Sequence, residues 1–242
     1  LYNLFDSDGS HIVTFLEWLA KTYLLPAQLD VLDVGCGPGR ILIPMAERNW
    51  QIVAMEPNTE YHAAANQIAS QYNNITVVGG GFGEIEQENA YDMIVAVNGP
   101  FSYLLTIEER MDAIQRMHRA LKPDGVLFLD MPNFLSILKN YEQPQPSIST
   151  SPTGNLIRRV IEHEMDFHNA TFTHTDHFYV DDELQDKQVH KMSIMTLQEL
   201  LYLLKQNHFD EIMTFNGFGA REAQLIRSVR MMVAARKQSD AK

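Results

Sequence analysis

The chain has 242 residues, 45% of them hydrophobic, a single cysteine and a formal net charge of -12 at pH 7. We expect no nucleic-acid partner, because phosphate binding requires clustered lysine and arginine. The lone Cys36 excludes an intramolecular disulfide and a thiolate zinc cage and is typical of a reducing compartment, so a cytoplasmic protein is expected. No run of about 18 apolar residues is present, so no membrane span is expected.

The first half of the chain alternates predicted strands with predicted helices. Residues 11–24 place apolar side chains at helical spacing, which predicts an amphipathic first helix. Strands are predicted at 30–34, 51–56, 75–80, 91–97 and 125–131, and helices at 40–49, 59–72 and 107–121. This alternation indicates βαβ units and therefore an α/β, Rossmann-like, doubly wound sheet with mostly parallel strands.

The pattern changes after Asn133. Residues 141–155 are rich in Pro, Ser and Gln and are predicted to form a loop. A hairpin is predicted at 157–167 and 171–180, followed by a third strand near 188–195. The sequence therefore predicts an antiparallel β insertion after the fifth strand.

The last part of the chain is predicted to return to the core. A helix at 196–207 is followed by strands near 210–216 and 230–236. The predicted organisation has an N-terminal helix and binding core at 1–140, an inserted β region at 141–195 and a return to the core at 196–242. We expect the inserted region to form a lid that supplies substrate specificity.

The first predicted strand ends in an acid and a glycine turn, "VLDVGCGPGR" at 31–40. Ligands of doubly wound sheets bind at the carboxyl ends of the strands, where Gly35, Gly37 and Gly39 would let backbone N–H groups approach a ligand. Glu56 ends the next strand, and its carboxylate suits the two hydroxyls of a ribose. The spacing G-x-G-x-G differs from the dinucleotide fingerprint, and the charge of Asp33 opposes a pyrophosphate but suits an ammonium group. These residues predict a pocket for a nucleoside-bearing ligand.

The turn "DVGCGPG" at 33–39 resembles the first motif of the class I S-adenosylmethionine-dependent methyltransferases. "MEPN" at 55–58 resembles the ribose-binding acid of that family, "RALKPDGVLFLD" at 119–130 the lead into its fifth strand, and "RMMVAAR" at 230–236 its antiparallel seventh strand. The resemblance implies a seven-stranded sheet and S-adenosylmethionine as cofactor, with S-adenosylhomocysteine as product. The implied cofactor-binding residues are Asp33, Gly35, Cys36, Gly37, Gly39, Glu56, Pro57, Gly81, Phe82 and Asn98.

The end of the third strand departs from the family pattern. Many members carry Gly-Asp and an apolar residue there, and the Asp binds the adenine amino group. Here "GGGFGE" at 79–84 places Gly81 before Phe82. Phe82 can still stack on the purine, whereas the amino-group contact must come from the backbone or a neighbour, or be absent. Cys36, between two glycines of the first motif, is interpreted as a small packing residue.

The fourth strand ends in "VNGPFSYLLT" at 97–106. Residues after this strand face the transferred methyl group in the resembled family, so Asn98, Gly99, Phe101 and Tyr103 are candidates for lining the transfer site. The segment "NGPF" also resembles the Asn-Pro-Pro-aromatic motif of enzymes that methylate amide or exocyclic nitrogens, but the middle proline is missing. We therefore interpret Asn98 as a cofactor or substrate contact.

Two histidines of the inserted hairpin, His163 and His174, are the candidate catalytic residues. A turn at "HNAT" would pair Phe167 with Phe172 and His163 with Asp176, with His174 on the same face. Asp176 would then orient His163 as a general base, or the pair would only stabilise the sheet. No metal site is expected, because only two of the hairpin histidines point the same way and a metal needs three or more ligands.

The sequence thus predicts an enzyme that moves a methyl group to a nitrogen or oxygen of a small-molecule acceptor by in-line displacement. Such a transfer requires mainly positioning and exclusion of water, with a base for hydroxyl acceptors. One alternative is a catalytically silent methyltransferase-like domain, favoured by Gly81. Another is an NAD-dependent oxidoreductase, opposed by the glycine spacing. A homodimer through the edge of the inserted sheet is also expected, and Tyr2 and Phe5 either fold over the cofactor as a flap or pack on the first helix.

Overall fold

The computed structural model describes residues 9–139, 141–142, 144–150 and 156–238, so Tyr2 and Phe5 of the predicted flap lie outside the described residues. The helices are α1 (Ser10–Thr22), α2 (Leu42–Ala46), α3 (Thr59–Ala69), α4 (Ile107–Ala120), α5 (Phe134–Lys139) and α6 (Leu197–Gln206). The strands are β1 (Asp30–Val34), β2 (Gln51–Glu56), β3 (Ile75–Gly79), β4 (Tyr91–Ala96), β5 (Leu121–Pro132), β6 (Ser147–Thr150), β7 (Leu156–Asp166), β8 (Thr171–Val180), β9 (Glu183–Ser193), β10 (Phe209–Phe215) and β11 (Arg230–Lys237).

The larger of two sheets has the predicted Rossmann-like architecture. Its seven strands run in the order β10-β11-β5-β4-β1-β2-β3. Strands β1 to β5 pair in parallel, and β11 is antiparallel to both of its neighbours, β5 and β10. The chain moves outward from β1 to β3 and then returns to the other side of β1, so the strand order reverses between β1 and β4. Ligands of such sheets bind at the carboxyl ends of the strands beside this reversal. The predicted fold class is confirmed.

Both faces of the larger sheet are buried, because successive side chains of a strand point to opposite faces. On β1, Val31 belongs to the apolar cluster that includes α1, and Leu32 belongs to the cluster that includes α4 and α6. Helix α1 packs through Phe15, whose ring lies edge-on to that of Phe215 with centroids 5.2 Å apart. Burial on both faces explains why these strands have continuous apolar sequences.

A four-stranded antiparallel sheet, in the order β6-β7-β8-β9, lies in the chain between α5 and α6. The predicted insertion after the fifth strand is therefore present, but two details differ. The segment predicted as a loop contains β6, and β9 begins at Glu183 rather than near residue 188. The first five residues of β9 are exposed and all but Leu184 are polar, so they lack the apolar alternation that marks a half-buried strand. Residues 143 and 151–155 of the predicted loop lie outside the described residues.

The predicted pairing of the hairpin is wrong by two residues. His163 pairs with His174 and not with Asp176, and Phe172 pairs with Met165. A shift of two residues keeps every side chain on its face, whereas a shift of one would reverse the faces. His163, His174 and Asp176 therefore share one face, as predicted, with different direct neighbours.

The position of the hairpin loop, which begins one residue earlier than predicted, explains this shift. Asp166 Oδ1 accepts hydrogen bonds from the backbone N–H groups of His168 and Asn169, both at 3.0 Å. These bonds stabilise a loop of residues 167–170, in which Ala170 adopts a left-handed conformation with φ 48°. Phe167 consequently lies in the loop with 85% of its surface exposed, rather than opposite Phe172.

The helix predicted at 40–49 is shorter in the structure. Helix α2 covers Leu42–Ala46, and Asn49 adopts a left-handed backbone conformation with φ 58°. Within the described ranges, no helix is long and apolar enough to cross a membrane.

Candidate active site

The glycine turn after β1 is built from residues with positive φ. Gly35, Gly37 and Gly39 have φ of 75°, 58° and 94°, a region that side chains disfavour. The N–H of Gly35 donates to the carbonyl oxygen of Met55 at 2.8 Å, which holds the turn against β2. A Cβ at position 35 would lie 2.5 Å from the Cβ of Pro100, so this position has no room for a side chain. The turn therefore brings the loops after β1 and β4 close together.

Glu56 at the end of β2 is fixed by two backbone amides. Its Oε2 accepts from the N–H of Gly37 and its Oε1 from the N–H of Asn58, both at 2.8 Å. Asn58 in turn caps α3, because its Oδ1 accepts from the N–H groups of Glu60 and Tyr61. A carboxylate oxygen accepts more than one hydrogen bond, so the buried Glu56 retains acceptor capacity for two hydroxyl groups.

Asp33 is a buried acid with one carboxylate oxygen that has no hydrogen-bond partner among the described residues. It is 1% exposed, and its Oδ2 makes no hydrogen bond within the described part of the chain. Burial, together with the negative charge of Glu56 and against the positive charge of Arg40, raises the pKa of Asp33 to about 7. Buried polar atoms are almost always paired in folded proteins, so this carboxyl group is suited to a cationic ligand.

One cavity of about 630 Å³ joins these groups. Nine of the ten predicted cofactor-binding residues line it: Asp33, Gly35, Cys36, Gly37, Glu56, Pro57, Gly81, Phe82 and Asn98. The tenth, Gly39, is not among the lining residues; a Cβ there would lie 3.0 Å from the side chains of Leu42 and Ile68, so Gly39 serves the packing of the turn. Whether the nine bind a cofactor stays a prediction.

Cys36 lies in the wall of this cavity without being activated. Burial raises the pKa of its thiol, and the charges of Asp33 and Glu56 act in the same direction. A thiol that stays protonated is a poor nucleophile. The interpretation of Cys36 as a small packing residue therefore agrees with its surroundings.

A carboxylate that the sequence analysis missed lies near Gly81. The backbone N–H of Gly81 donates to Glu84 Oε2 at 2.7 Å across the short 3₁₀ helix Phe82–Glu84, and Glu84 lines the cavity. Phe82 is buried and lies edge-on to Phe101, with centroids 5.5 Å apart. The spacing of a glutamate three residues after Gly81, typical of a capping box, was the available signal.

The loop after β4 is held by the neighbouring strand β5. Asn98 and Gly99 both have positive φ, 71° and 93°. The N–H of Asn98 donates to Asp130 Oδ2 and the N–H of Gly99 donates to the Asp130 carbonyl oxygen, both at 2.8 Å. Arg230 on β11 pairs with the fully buried Asp130 carboxylate. Asp130 and Arg230 thus position this loop. They act through contacts between strands that are neighbours in the sheet but far apart in the sequence.

Of the four candidates for the transfer site, Asn98 and Tyr103 line the cavity. Phe101 is completely buried in the core, and Gly99 serves the turn. Tyr103 is half exposed and lies in the 3₁₀ helix Pro100–Tyr103 that follows β4.

The predicted catalytic histidines form a row of hydrogen bonds on the second sheet. Tyr141 Oη lies 3.0 Å from His163 Nδ1, His163 Nε2 lies 2.8 Å from His174 Nδ1, and His174 Nε2 lies 2.9 Å from Asp176 Oδ2. Arg159 Nε donates to Asp176 Oδ1 at 2.7 Å. The predicted direct contact between His163 and Asp176 is therefore wrong, because His174 lies between them.

Neither predicted histidine is among the residues that line the cavity. The second sheet reaches the cavity through β9 instead, with Val189 and His190. His190 pairs with His174 in the sheet, and its Nδ1 lies 2.7 Å from Tyr103 Oη. The sequence analysis missed His190 because it assigned no register to the third strand of the insertion. Within the described ranges, no group of three or more His, Cys, Asp or Glu side chains is arranged to hold a metal ion.

Sheet and site together define one class of protein. A doubly wound sheet with an antiparallel last strand, an acid before a G-x-G-x-G turn and a ribose-type acid after β2 are typical of the class I S-adenosylmethionine-dependent methyltransferases. Residues 31–125 match the family model described as "Methyltransferase domain". This part of the chain is similar to methyltransferase domains, and S-adenosylmethionine is the methyl donor of the class I enzymes that the chain resembles.

Similar proteins fit this assignment. An uncharacterized methyltransferase of Staphylococcus carnosus (strain TM300) is 30% identical over 114 residues, 47% of this chain and 50% of that protein. The chain spans about half the length of the curated relatives it matches. Two crystal structures share the fold. An S-adenosylmethionine-dependent methyltransferase from Clostridium acetobutylicum ATCC 824 aligns with a TM-score of 0.79 at 13% identity, covering 99% of this chain and 95% of that one. CalS10, an amino pentose methyltransferase from Micromonospora echinaspora bound to S-adenosylmethionine, aligns with a TM-score of 0.73 at 17% sequence identity, covering 97% of this chain and 93% of that one.

Proposed function

We propose that this protein transfers the methyl group of S-adenosylmethionine to a nitrogen or oxygen atom of a small-molecule acceptor. The observation that carries the proposal is the course of this cavity, which runs from Glu56 at the end of β2, past Asp33 on β1, to Tyr103 after β4 and His190 on the second sheet. Strands β2 and β4 flank β1, so their ends are about 10 Å apart. The cavity thus has room for a nucleoside end and a separate acceptor end.

The residues of the nucleoside end fit the cofactor. Glu56 offers two carboxylate oxygens to the ribose hydroxyls, and Asp33 offers an unpaired oxygen to the ammonium group. Pro57 and Phe82 supply apolar surface for the adenine, and Glu84 is a carboxylate near the predicted place of the amino group. When bound, S-adenosylmethionine supplies a methyl group on a cationic sulfur that departs as a neutral thioether.

The acceptor end favours small molecules. The cavity volume of about 630 Å³ falls in the usual range of small-molecule sites, about 300–1,000 Å³, and the net charge of -12 disfavours nucleic acid. Methyl transfer from a sulfonium requires the acceptor to be held in line at near-attack distance with water excluded. Val189 and His190 of the second sheet line this end of the cavity, where they can contact an acceptor. The amino pentose named for CalS10 supports amine-bearing acceptors as the first class to test.

A labelled-methyl assay tests the proposal. The protein is incubated with S-adenosylmethionine tritiated in the methyl group and with glycine, sarcosine, glucosamine or catechol, and the transferred label is measured by chromatography. We expect label in at least one acceptor. Glu56→Gln should abolish the transfer by weakening ribose binding, and Glu60→Gln, a matched change at an exposed position of α3, should preserve it.

The outcomes separate the alternatives. Binding of S-adenosylmethionine without transfer to any acceptor would favour a silent binding domain. Binding of NAD in its place would favour an oxidoreductase and overturn the proposal.

A further inference from the structure

One ring nitrogen of His190, on the second sheet, has no partner among the described residues. Its Nδ1 lies 2.7 Å from Tyr103 Oη, whereas its Nε2 is buried and makes no hydrogen bond to any described residue. In His163 and His174 both ring nitrogens are occupied, by Tyr141, by each other and by Asp176. His190 also lines the cavity, which the other two do not.

A buried, unpaired ring nitrogen costs stability unless a ligand or water satisfies it. The hydroxyl of Tyr103 can donate or accept, so its contact with Nδ1 is compatible with both tautomers of the ring. In the tautomer that carries its proton on Nδ1, His190 donates to Tyr103 Oη and leaves a lone pair on Nε2. The ring is then a base whose orientation is fixed by Tyr103, as an orienting group fixes the base in other catalytic pairs.

We propose that His190 accepts the proton of the methyl acceptor and that Tyr103 is the residue that positions it. This inference rests on the proposed function. As the acceptor atom forms its bond to the methyl carbon, the carbon–sulfur bond breaks and its electron pair stays on sulfur. The proton of the acceptor atom moves to His190 Nε2, which gives an imidazolium that returns the proton to solvent. The reaction thus needs only the methyl donor, the acceptor and His190 as the proton acceptor.

Burial favours the neutral form of His190 before the reaction. Burial lowers the pKa of His190, and His174 and Arg159 act in the same direction, while Asp176 opposes them. These groups lie on the same face of the second sheet, and Tyr103 contacts the ring from the 3₁₀ helix after β4. A neutral imidazole is the form that can accept a proton at neutral pH.

Nitrogen NMR tests the placement without a known acceptor. The imidazole nitrogens of the ¹⁵N-labelled protein are titrated between pH 5 and 8 in complexes with S-adenosylmethionine and with S-adenosylhomocysteine, and His190→Gln assigns the signals. The two ligands differ by the positive charge on sulfur. If His190 faces the reacting sulfur, its pKa in the S-adenosylmethionine complex is lower by at least about 1 than in the other complex. His177, on the outer face beside Glu162, is the matched control and should not respond.

Tyr103→Phe tests the positioning role. Loss of the Nδ1 partner should shift the ring nitrogen signals of His190 toward the other tautomer and leave the affinity for S-adenosylmethionine within about twofold. With any acceptor found by the labelled-methyl assay, His190→Gln should lower kcat about 100-fold without weakening cofactor binding. Failure of S-adenosylmethionine to bind would overturn the proposed function itself. Binding with an unchanged pKa of His190 between the two complexes, or an unchanged kcat in His190→Gln, would overturn only this inference.

Discussion

Cofactor binding is expected to expel a proton from Asp33. Its carboxyl group is buried, and its pKa is raised to about 7 by burial and by the charge of Glu56. About nine tenths of the ligand-free molecules would then hold this proton at pH 6, and about one tenth at pH 8. If the ammonium group of S-adenosylmethionine binds the ionised carboxylate, the affinity should rise about tenfold, or ~1.4 kcal/mol, between these pH values. Asp33→Asn, which keeps the shape and removes the titration, should abolish this rise.

Calorimetric titration in buffers of different ionisation enthalpy measures the released protons directly. The amino group of the ligand also titrates, but its contribution is common to the wild type and the Asn variant and cancels in the difference. We expect the wild type to release close to one more proton than the variant at pH 6 and almost none more at pH 8. Equal release by both proteins at pH 6 would refute the assignment of Asp33 to the ammonium group.

Three further predictions concern stability and the glycine turn. In the ligand-free protein, Asp33 binds its proton more tightly in the folded than in the unfolded state, because its pKa is raised to about 7. The free energy of unfolding should therefore fall by roughly 4 kcal/mol as the pH rises from about 4 to about 7. Scanning calorimetry should show that Asp33→Asn gains stability relative to the wild type from pH 5 to pH 8. Arg230→Met leaves the buried Asp130 carboxylate unpaired and should cost on the order of 3 kcal/mol in urea unfolding, and no loss would contradict the positioning role. Gly35→Ala, at a position with φ 75° and a proline side chain in close contact, should weaken cofactor binding more than tenfold. Gly219→Ala, which has open space for its methyl group and does not line the cavity, should not weaken it.

The sequence was sufficient where local pattern determines structure. Strands with continuous apolar side chains and a glycine turn behind an acid predicted the sheet and the position of Asp33. The same local order predicted Glu56, because the carboxyl ends of neighbouring parallel strands meet at one edge of the sheet. These features depend on residues close together in the chain.

The sequence was insufficient where distant segments meet. The anchoring of Asn98 depends on Asp130 and Arg230, which come from strands far along the chain. Two backbone hydrogen bonds to Asp166 stabilise a four-residue loop that begins one residue earlier than predicted, so the side chain of Asp176 contacts His174 and not His163. A two-residue difference in register keeps the same side chains on each face, so apolar alternation does not reveal it. It depends on the geometry of the loop.

The position of His190 at the acceptor end of the cavity also could not be predicted from the sequence. Its strand begins with exposed, mostly polar residues, so periodicity does not mark where β9 starts or how it pairs with β8. Only the packing of β9 on the 3₁₀ helix after β4 brings His190 to Tyr103 and the cavity.

Calorimetric titration of the wild type, Glu56→Ala and Glu60→Ala with S-adenosylmethionine, S-adenosylhomocysteine and NAD tests the assignment of this cavity most directly. We predict micromolar binding of the first two ligands to the wild type and to Glu60→Ala, loss of that binding in Glu56→Ala, and no binding of NAD. Binding of NAD alone, or S-adenosylmethionine affinity that is unchanged in Glu56→Ala, would contradict the assignment of the cavity between β2 and the second sheet to the methyl donor.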